Sequence, residues 1–102
     1  MTYFQQGDVI LTKTTLPVGN LQETKDPILQ HGEATGHMHR LTNDGFTVYQ
    51  NEKDLKRYLR LVKPNLLKHE EHSEIPLPIG DYELRIVREY DHFSEEARQV
   101  RD

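Results

Sequence analysis

Residues 81–90 alternate in chemical character with a period of two, and this pattern constrains the fold more than any other feature of the chain. Successive side chains of a β-strand point to opposite faces of the sheet. One face would carry Tyr82, Leu84, Ile86, Arg88 and Tyr90, and the other Asp81, Glu83, Arg85, Val87 and Glu89. The alternation predicts a half-buried β-strand.

The rest of the chain consists of short apolar runs separated by glycine, proline and other turn residues. These runs predict strands over residues 8–14, 27–32, 38–42, 45–50 and 58–63. The Asn-Asp-Gly sequence at 43–45 predicts a hairpin that pairs the third of these strands with the fourth, because Asp-Gly supplies the positive φ of a tight turn. We therefore expect an all-β fold, a small antiparallel β-barrel or sandwich of six or seven strands.

Length and composition narrow the class of protein. A chain of 102 residues fits one domain, residues 1–102. Near its end, Ser94 followed by two glutamates predicts a short C-terminal helix over residues 94–100. The net charge of −4 argues against general binding of polyanions, and the lack of cysteine excludes disulfides, thiolate metal sites and cysteine nucleophiles. No run is long and apolar enough for a membrane helix or a signal peptide, so we expect a cytoplasmic protein.

Four of the six histidines fall in two tight groups, His37-Met38-His39 and His69-Glu70-Glu71-His72. On a strand, His37 and His39 would point to the same side and converge on one ion. His69 and His72 share a face only in a helical turn, so an extended segment would bring only one of them to the site. Imidazole nitrogens without thiolates select a divalent transition metal such as zinc, iron, manganese, nickel or copper.

The acidic residues near the histidines are candidates for catalysis. Glu33, Glu70 and Glu71 could act as general bases on metal-bound water, and Glu33 could also add an oxygen ligand. The same donor set suits an oxygen-activating site with open positions, and a closed set of four histidines would be purely structural. Whether the protein is an enzyme, and which small molecule it would bind, stays open. Outside the groups, His31 is expected to be structural and His92 exposed.

A binding module without catalytic activity is the alternative, and its histidine clusters would then be structural or solvated. Aromatic and aliphatic residues are interleaved with the basic residues Arg57, Arg60, Lys63 and Lys68, a pattern that could grip single-stranded nucleic acid. The usual meaning of such a pattern is an amphipathic strand with a solvated face, so we do not expect nucleic acid as a partner. Self-association through the edge strands of a small β domain is a further option.

Segments 32–39 and 78–83 resemble the two short motifs of the cupins, small β-barrel metalloproteins in which a glycine precedes a His-x-His pair. The resemblance implies that His37 and His39 are metal ligands. Glu83 stands where the second cupin motif has its last histidine and would be a substitute ligand. The chain lacks the glutamate that follows the pair in cupins, and the resemblance does not account for His69 and His72.

A second resemblance spans nearly the whole chain. Residues 6–9, 32–39, 67–72, 77–82 and 88–90 look like the motifs of a group of small uncharacterised bacterial and phage-encoded proteins, including Gly-Glu-x-Thr-Gly-His-x-His and His-Glu-Glu-His. This resemblance implies that the two histidine groups belong to one signature. It implies no substrate.

Overall fold

The computed structural model describes residues 2–31 and 36–87, and within them all regular secondary structure is β. Ten short strands follow one another along the chain: β1 Tyr3–Gln6, β2 Val9–Lys13, β3 Leu21–Thr24, β4 Ile28–His31, β5 Met38–Leu41, β6 Phe46–Asn51, β7 Arg57–Leu61, β8 Asn65–Lys68, β9 Ile75–Leu77 and β10 Gly80–Ile86. The all-β class predicted from the sequence is confirmed for this part of the chain.

The strands form two antiparallel sheets that face each other across one core. The first sheet has the order β1-β2-β10-β7-β6-β3, and the second has the order β4-β5-β8-β9. Both sheets supply fully buried side chains, among them Leu11, Leu59 and Tyr82 from the first and Leu29 and Leu67 from the second. The arrangement is a sandwich, and among the described residues neither sheet closes into a barrel.

The strands expected from apolar alternation are present to within a few residues. In the last of them, Tyr82 and Leu84 are buried at 0% and 4% exposure while Arg85 between Leu84 and Ile86 is exposed, as the period of two predicts. The sequence did not reveal β1, β3, β8 or β9, which have only three or four residues each and so give too short an alternation to recognise. The structure therefore contains more strands than the six or seven expected.

The hairpin predicted at residues 43–45 is wrong. Strand β5 pairs with β4 and β8, whereas β6 pairs with β3 and β7, so the segment between them crosses from one sheet to the other. The buried Asn65 holds this crossing in place. Its Oδ1 accepts the N–H groups of Thr42 and Asn43 at 3.1 and 3.0 Å, and its Nδ2 donates to Asn43 O at 2.9 Å. These bonds satisfy backbone groups that a hairpin would have paired in a ladder.

Several expectations fall on residues outside the described part of the chain. These are the helix over residues 94–100, the end of the last predicted strand at 88–90, and the positions of Glu33 and His92. Within residues 2–31 and 36–87, no helix has the length and apolar character needed to cross a membrane.

Candidate metal centre

The two central strands of the smaller sheet, β5 and β8, point leucines into the core. At one end of the core, the next inward-facing residues along each strand are histidines. In β5, Leu41 and His39 are both buried and lie two residues apart, and His37 continues the same row. In β8, Leu67 is buried and His69 follows it two residues later. Because β5 and β8 are antiparallel neighbours, with Leu41 opposite Leu67, the two rows end in histidines side by side.

His72 reaches the same place through an irregular bend. Residues 69–74 connect β8 to β9 and form neither the helical turn nor the extended strand that the spacing of His69 and His72 left as alternatives. Instead, the Glu71 N–H donates to His69 Nδ1 at 3.0 Å and folds the chain back locally. The two rings lie 4.6 Å apart between centroids, so both join the cluster although the segment is not helical.

The four imidazoles lie beside one another in one cluster. The ring centroids are separated by 4.3 Å for His39 and His69, 5.6 Å for His37 and His69, and 5.9 Å for His39 and His72. Two rings that bind one zinc ion tetrahedrally, through nitrogens about 2.0–2.1 Å from the ion, have centroids about 5 Å apart. Among the described residues, however, no three donor side chains are already arranged to hold an ion. For these rings to bind one ion together they would have to rotate, and His69 Nδ1 would have to release the Glu71 N–H.

His39 is the innermost member of the cluster. It is 4% exposed, its Nδ1 lies 2.9 Å from Gln6 Oε1, and its Nε2 lies 3.5 Å from Asp8 Oδ1. Burial, and next the neighbouring His69, lower the pKa of His39 to about 4. The ring is thus neutral near pH 7, and neutral imidazole is the form that binds metals.

The turn between β1 and β2 brings Asp8 against the histidines because Gly7 has no side chain. Gly7 adopts a φ of 59°, in the left-handed region that favours glycine. A Cβ atom at this position would lie 2.7 Å from His72 Nε2 and 3.2 Å from His39 Cε1. The missing side chain leaves the space into which the two rings fit.

Of the carboxylates named from the sequence, Glu70, Glu71 and Glu83 lie in the described part of the chain. Glu70 Oε1 accepts the Met38 N–H at 2.9 Å, and this bond lowers the pKa of the Glu70 carboxyl. Glu70 thus ties the β8–β9 loop to the start of β5. Glu71 Oε2 lies 3.6 Å from His37 Nδ1 at the exposed side of the cluster. Glu83, for which the cupin resemblance implies a ligand role, alternates with the buried Tyr82 and Leu84 and faces away from the core, so the structure does not bring it to the cluster.

Sequence reasoning missed Gln6 and Asp8. Gln6 is 2% exposed, and its Nε2 donates to Leu67 O at 3.0 Å and to Ser73 O at 2.9 Å. Both residues lie beside Gly7 in the motif at 6–9. A glycine between two runs of alternating polarity is the signal that could have indicated the tight turn joining β1 to β2.

The basic residues of the alternative hypothesis do not form one surface. Arg57 is half-buried and donates to Leu29 O at 3.0 Å, whereas Arg60 is on the opposite face of β7 and pairs with Asp81 at 2.8 Å. Lys63 and Lys68 lie 3.4 Å from Asp44 and 3.8 Å from Glu74. Each of these four cations thus has an oxygen partner within the protein.

The chain was compared with known protein families, curated proteins and solved structures. A family model described as Domain of unknown function (DUF8820) matches residues 5–87. The chain belongs to this family. No curated protein and no solved structure gives a significant match. The matched range contains Gln6, Asp8 and the four histidines of the cluster, so the whole candidate centre lies inside the family domain.

Proposed function

We propose that this domain binds one divalent transition metal ion through His37, His39, His69 and His72. The observation that carries the proposal is the meeting of four imidazole rings at one end of the core, two from the start of β5 and two from the β8–β9 loop, with neighbouring rings 4.3–5.9 Å apart between centroids. Imidazole is the commonest protein ligand for such ions, and the sequence contains no cysteine thiolate to compete with it.

The free-energy cost of placing a histidine ring in the apolar core supports the proposal. His39 lies in the core next to leucines, and its burial is tolerated only with the polar partners Gln6 and Asp8 beside it. Simple packing would be served better by apolar side chains of similar volume. An ion bound by the cluster would add its binding free energy to folding and so offset this cost.

We further propose that the site keeps one side open to a small molecule. His72 and Glu71 are exposed, so the cluster is covered by the core on one side and meets solvent on the other. A catalytic metal centre keeps a coordination position for water or substrate, whereas a structural centre fills its shell with protein ligands. Hydrolytic and oxygen-activating chemistry are both compatible with this donor set.

Metal content measured on protein without a purification tag tests the proposal. The protein should be stripped with a chelator, dialysed separately against zinc, manganese, nickel and iron(II), and analysed for bound metal. We expect one ion per chain for at least one of these metals. A chain that binds none of them, and whose melting temperature none of them raises, would leave the histidine cluster without a metal role.

Single substitutions test which histidines are responsible. His37→Ala and His39→Ala should each weaken binding by about tenfold or more. His92→Ala, which changes a histidine outside the two groups, is the matched control and should leave the affinity unchanged. Equal losses in all three variants would contradict the assignment of the cluster.

Chelation separates an open site from a closed structural one. If the site is open, the metal-free protein should stay folded and small chelating acids should bind the ion directly. Unfolding on chelation, with no access of added ligands to the ion, would show a structural site. A cytoplasmic location, self-association and the absence of nucleic-acid binding stay predictions.

A further inference from the structure

Gln6 has only one way to orient its side-chain amide. Its Nε2 lies 3.0 Å from Leu67 O and 2.9 Å from Ser73 O, and a carbonyl oxygen only accepts hydrogen bonds. The NH₂ group must therefore face these two carbonyls. The oxygen, Oε1, then faces His39 Nδ1 at 2.9 Å as an acceptor.

This orientation fixes the tautomer of His39. Because Gln6 Oε1 can only accept, His39 Nδ1 must carry the hydrogen of the neutral ring. His39 Nε2 is then left with a lone pair, and the nearest carboxylate oxygen, Asp8 Oδ1, lies 3.5 Å away. That separation is longer than the roughly 2.7–2.9 Å of a charge-assisted N–H···O bond. Two electron-pair donors thus point toward one small region with no hydrogen between them.

From this geometry we infer that Asp8 is the anionic ligand of the centre and that Gln6 is its positioning residue. The inference rests on the proposed metal site and names which atoms anchor it. A cation bound by both His39 Nε2 and Asp8 Oδ1 would accept both lone pairs and remove the repulsion between them. Metal-bound histidines characteristically donate their other ring N–H to an acceptor in the protein, which is the role that Gln6 has here.

Gln6 also connects the separate parts of the centre. The same amide that fixes His39 bonds Leu67 O, next to the β8–β9 loop, and Ser73 O, directly after His72. Asp8 lies two residues further along the chain from Gln6, across the turn at Gly7. The buried amide of Gln6 therefore orients the His39 ring and holds the loop that carries His69 and His72. It also stands at the start of the turn that carries Asp8.

The tautomer can be measured without any metal. In the metal-free protein, long-range ¹H–¹⁵N correlation of His39 should show Nδ1 as the protonated nitrogen and Nε2 as the bare one. Gln6→Met, of similar volume but without an amide acceptor, should lose this preference, whereas Gln6→Glu should keep it because a carboxylate also accepts. Gln22→Met, which changes an exposed glutamine of edge strand β3 whose amide donates to Glu52, is the matched control and should change nothing.

Metal affinity tests the two residues directly. Asp8→Asn keeps the shape but removes the charge and should weaken binding at least about tenfold, and Gln6→Met should weaken it about 10–100-fold. Asp44→Asn, which removes an exposed carboxylate at the opposite end of the sandwich, is the control and should bind like the unaltered protein. The zinc-loaded full chain, titrated against a competing chelator, provides the measurement.

The outcomes distinguish this inference from the proposed function. If the unaltered protein binds metal but Asp8→Asn binds equally well, the inference is overturned and the proposed function stands. Protonation of His39 at Nε2 in the metal-free protein overturns the positioning role of Gln6, even if Gln6→Met fails to fold. If the unaltered protein binds no metal, the proposed function fails and the inference fails with it.

Discussion

Gly7→Ala tests whether the open space beside the histidines is required. The residue has a φ of 59°, and forcing a non-glycine residue into this left-handed conformation costs about 1–2 kcal/mol. The added methyl group would also lie 2.7 Å from His72 Nε2, so the exposed His72 ring must move away, and 3.2 Å from Cε1 of the buried His39, whose ring must give by a few tenths of an ångström. The free energy of unfolding of the metal-free protein should therefore fall by at least about 1–2 kcal/mol, the cost of the backbone conformation alone.

The same substitution should have a second effect on the metal. A working site holds its ligands within about 0.5 Å, so a displaced His72 should lower the metal affinity about tenfold. Gly45→Ala is the matched control, because Gly45 has a φ of 83° and a Cβ there would lie 2.9 Å from the Lys63 side chain, at the opposite end of β5 from the histidines. Urea unfolding and a zinc titration measure both quantities. Equal loss of affinity in both variants, or none in Gly7→Ala, would refute the reasoning.

Three further predictions concern stability. Burial lowers the pKa of His39 from 6.5 to about 4, so between these pH values the unfolded chain binds a proton that the folded chain excludes. The free energy of unfolding of the metal-free protein should therefore decrease as the pH falls from 6.5 to about 4. A urea midpoint that stays constant or rises on acidification contradicts this. Asn65→Ala should cost about 1–3 kcal/mol because it removes a buried side chain that makes hydrogen bonds to Thr42 and Asn43, against less than about 1 kcal/mol for Asn51→Ala at an exposed turn. Leu55, 63% exposed with a φ of 63°, is strained, so Leu55→Gly should raise stability by about 0.5 kcal/mol in thermal unfolding, and a lower melting temperature would argue against this strain.

The sequence predicts strands well where one face is buried. The alternation around Tyr82 and Leu84 is visible because each second residue enters the core. Strand β3 gives no such signal, since three of its four residues are exposed at the edge of the larger sheet. The Asp-Gly turn after β5 indicates a change of direction but not a partner strand. The crossing to the other sheet is held instead by hydrogen bonds with Asn65, which is 22 residues away from Asn43 in the chain.

The candidate site was predictable in its histidines and not in their surroundings. The spacing of His37 and His39 indicates a shared face on any strand, and the structure brings both of them close to His69. Gln6, by contrast, bonds a carbonyl 61 residues away, and only the packing of the two sheets brings these residues together. Hydrogen bonds between distant segments leave no local pattern in the sequence, so the amide and the carboxylate of Asp8 could not be assigned to the cluster.

The most direct test of the central claim is the coordination shell of the bound ion. X-ray absorption spectroscopy on the zinc-loaded, untagged protein counts imidazole ligands through their characteristic multiple scattering and measures the distances from zinc to nitrogen and oxygen. Our account predicts several imidazoles at about 2.0–2.1 Å and a carboxylate oxygen at about 2.0–2.2 Å. A shell made only of water and carboxylate oxygens, without imidazole scattering, would contradict it.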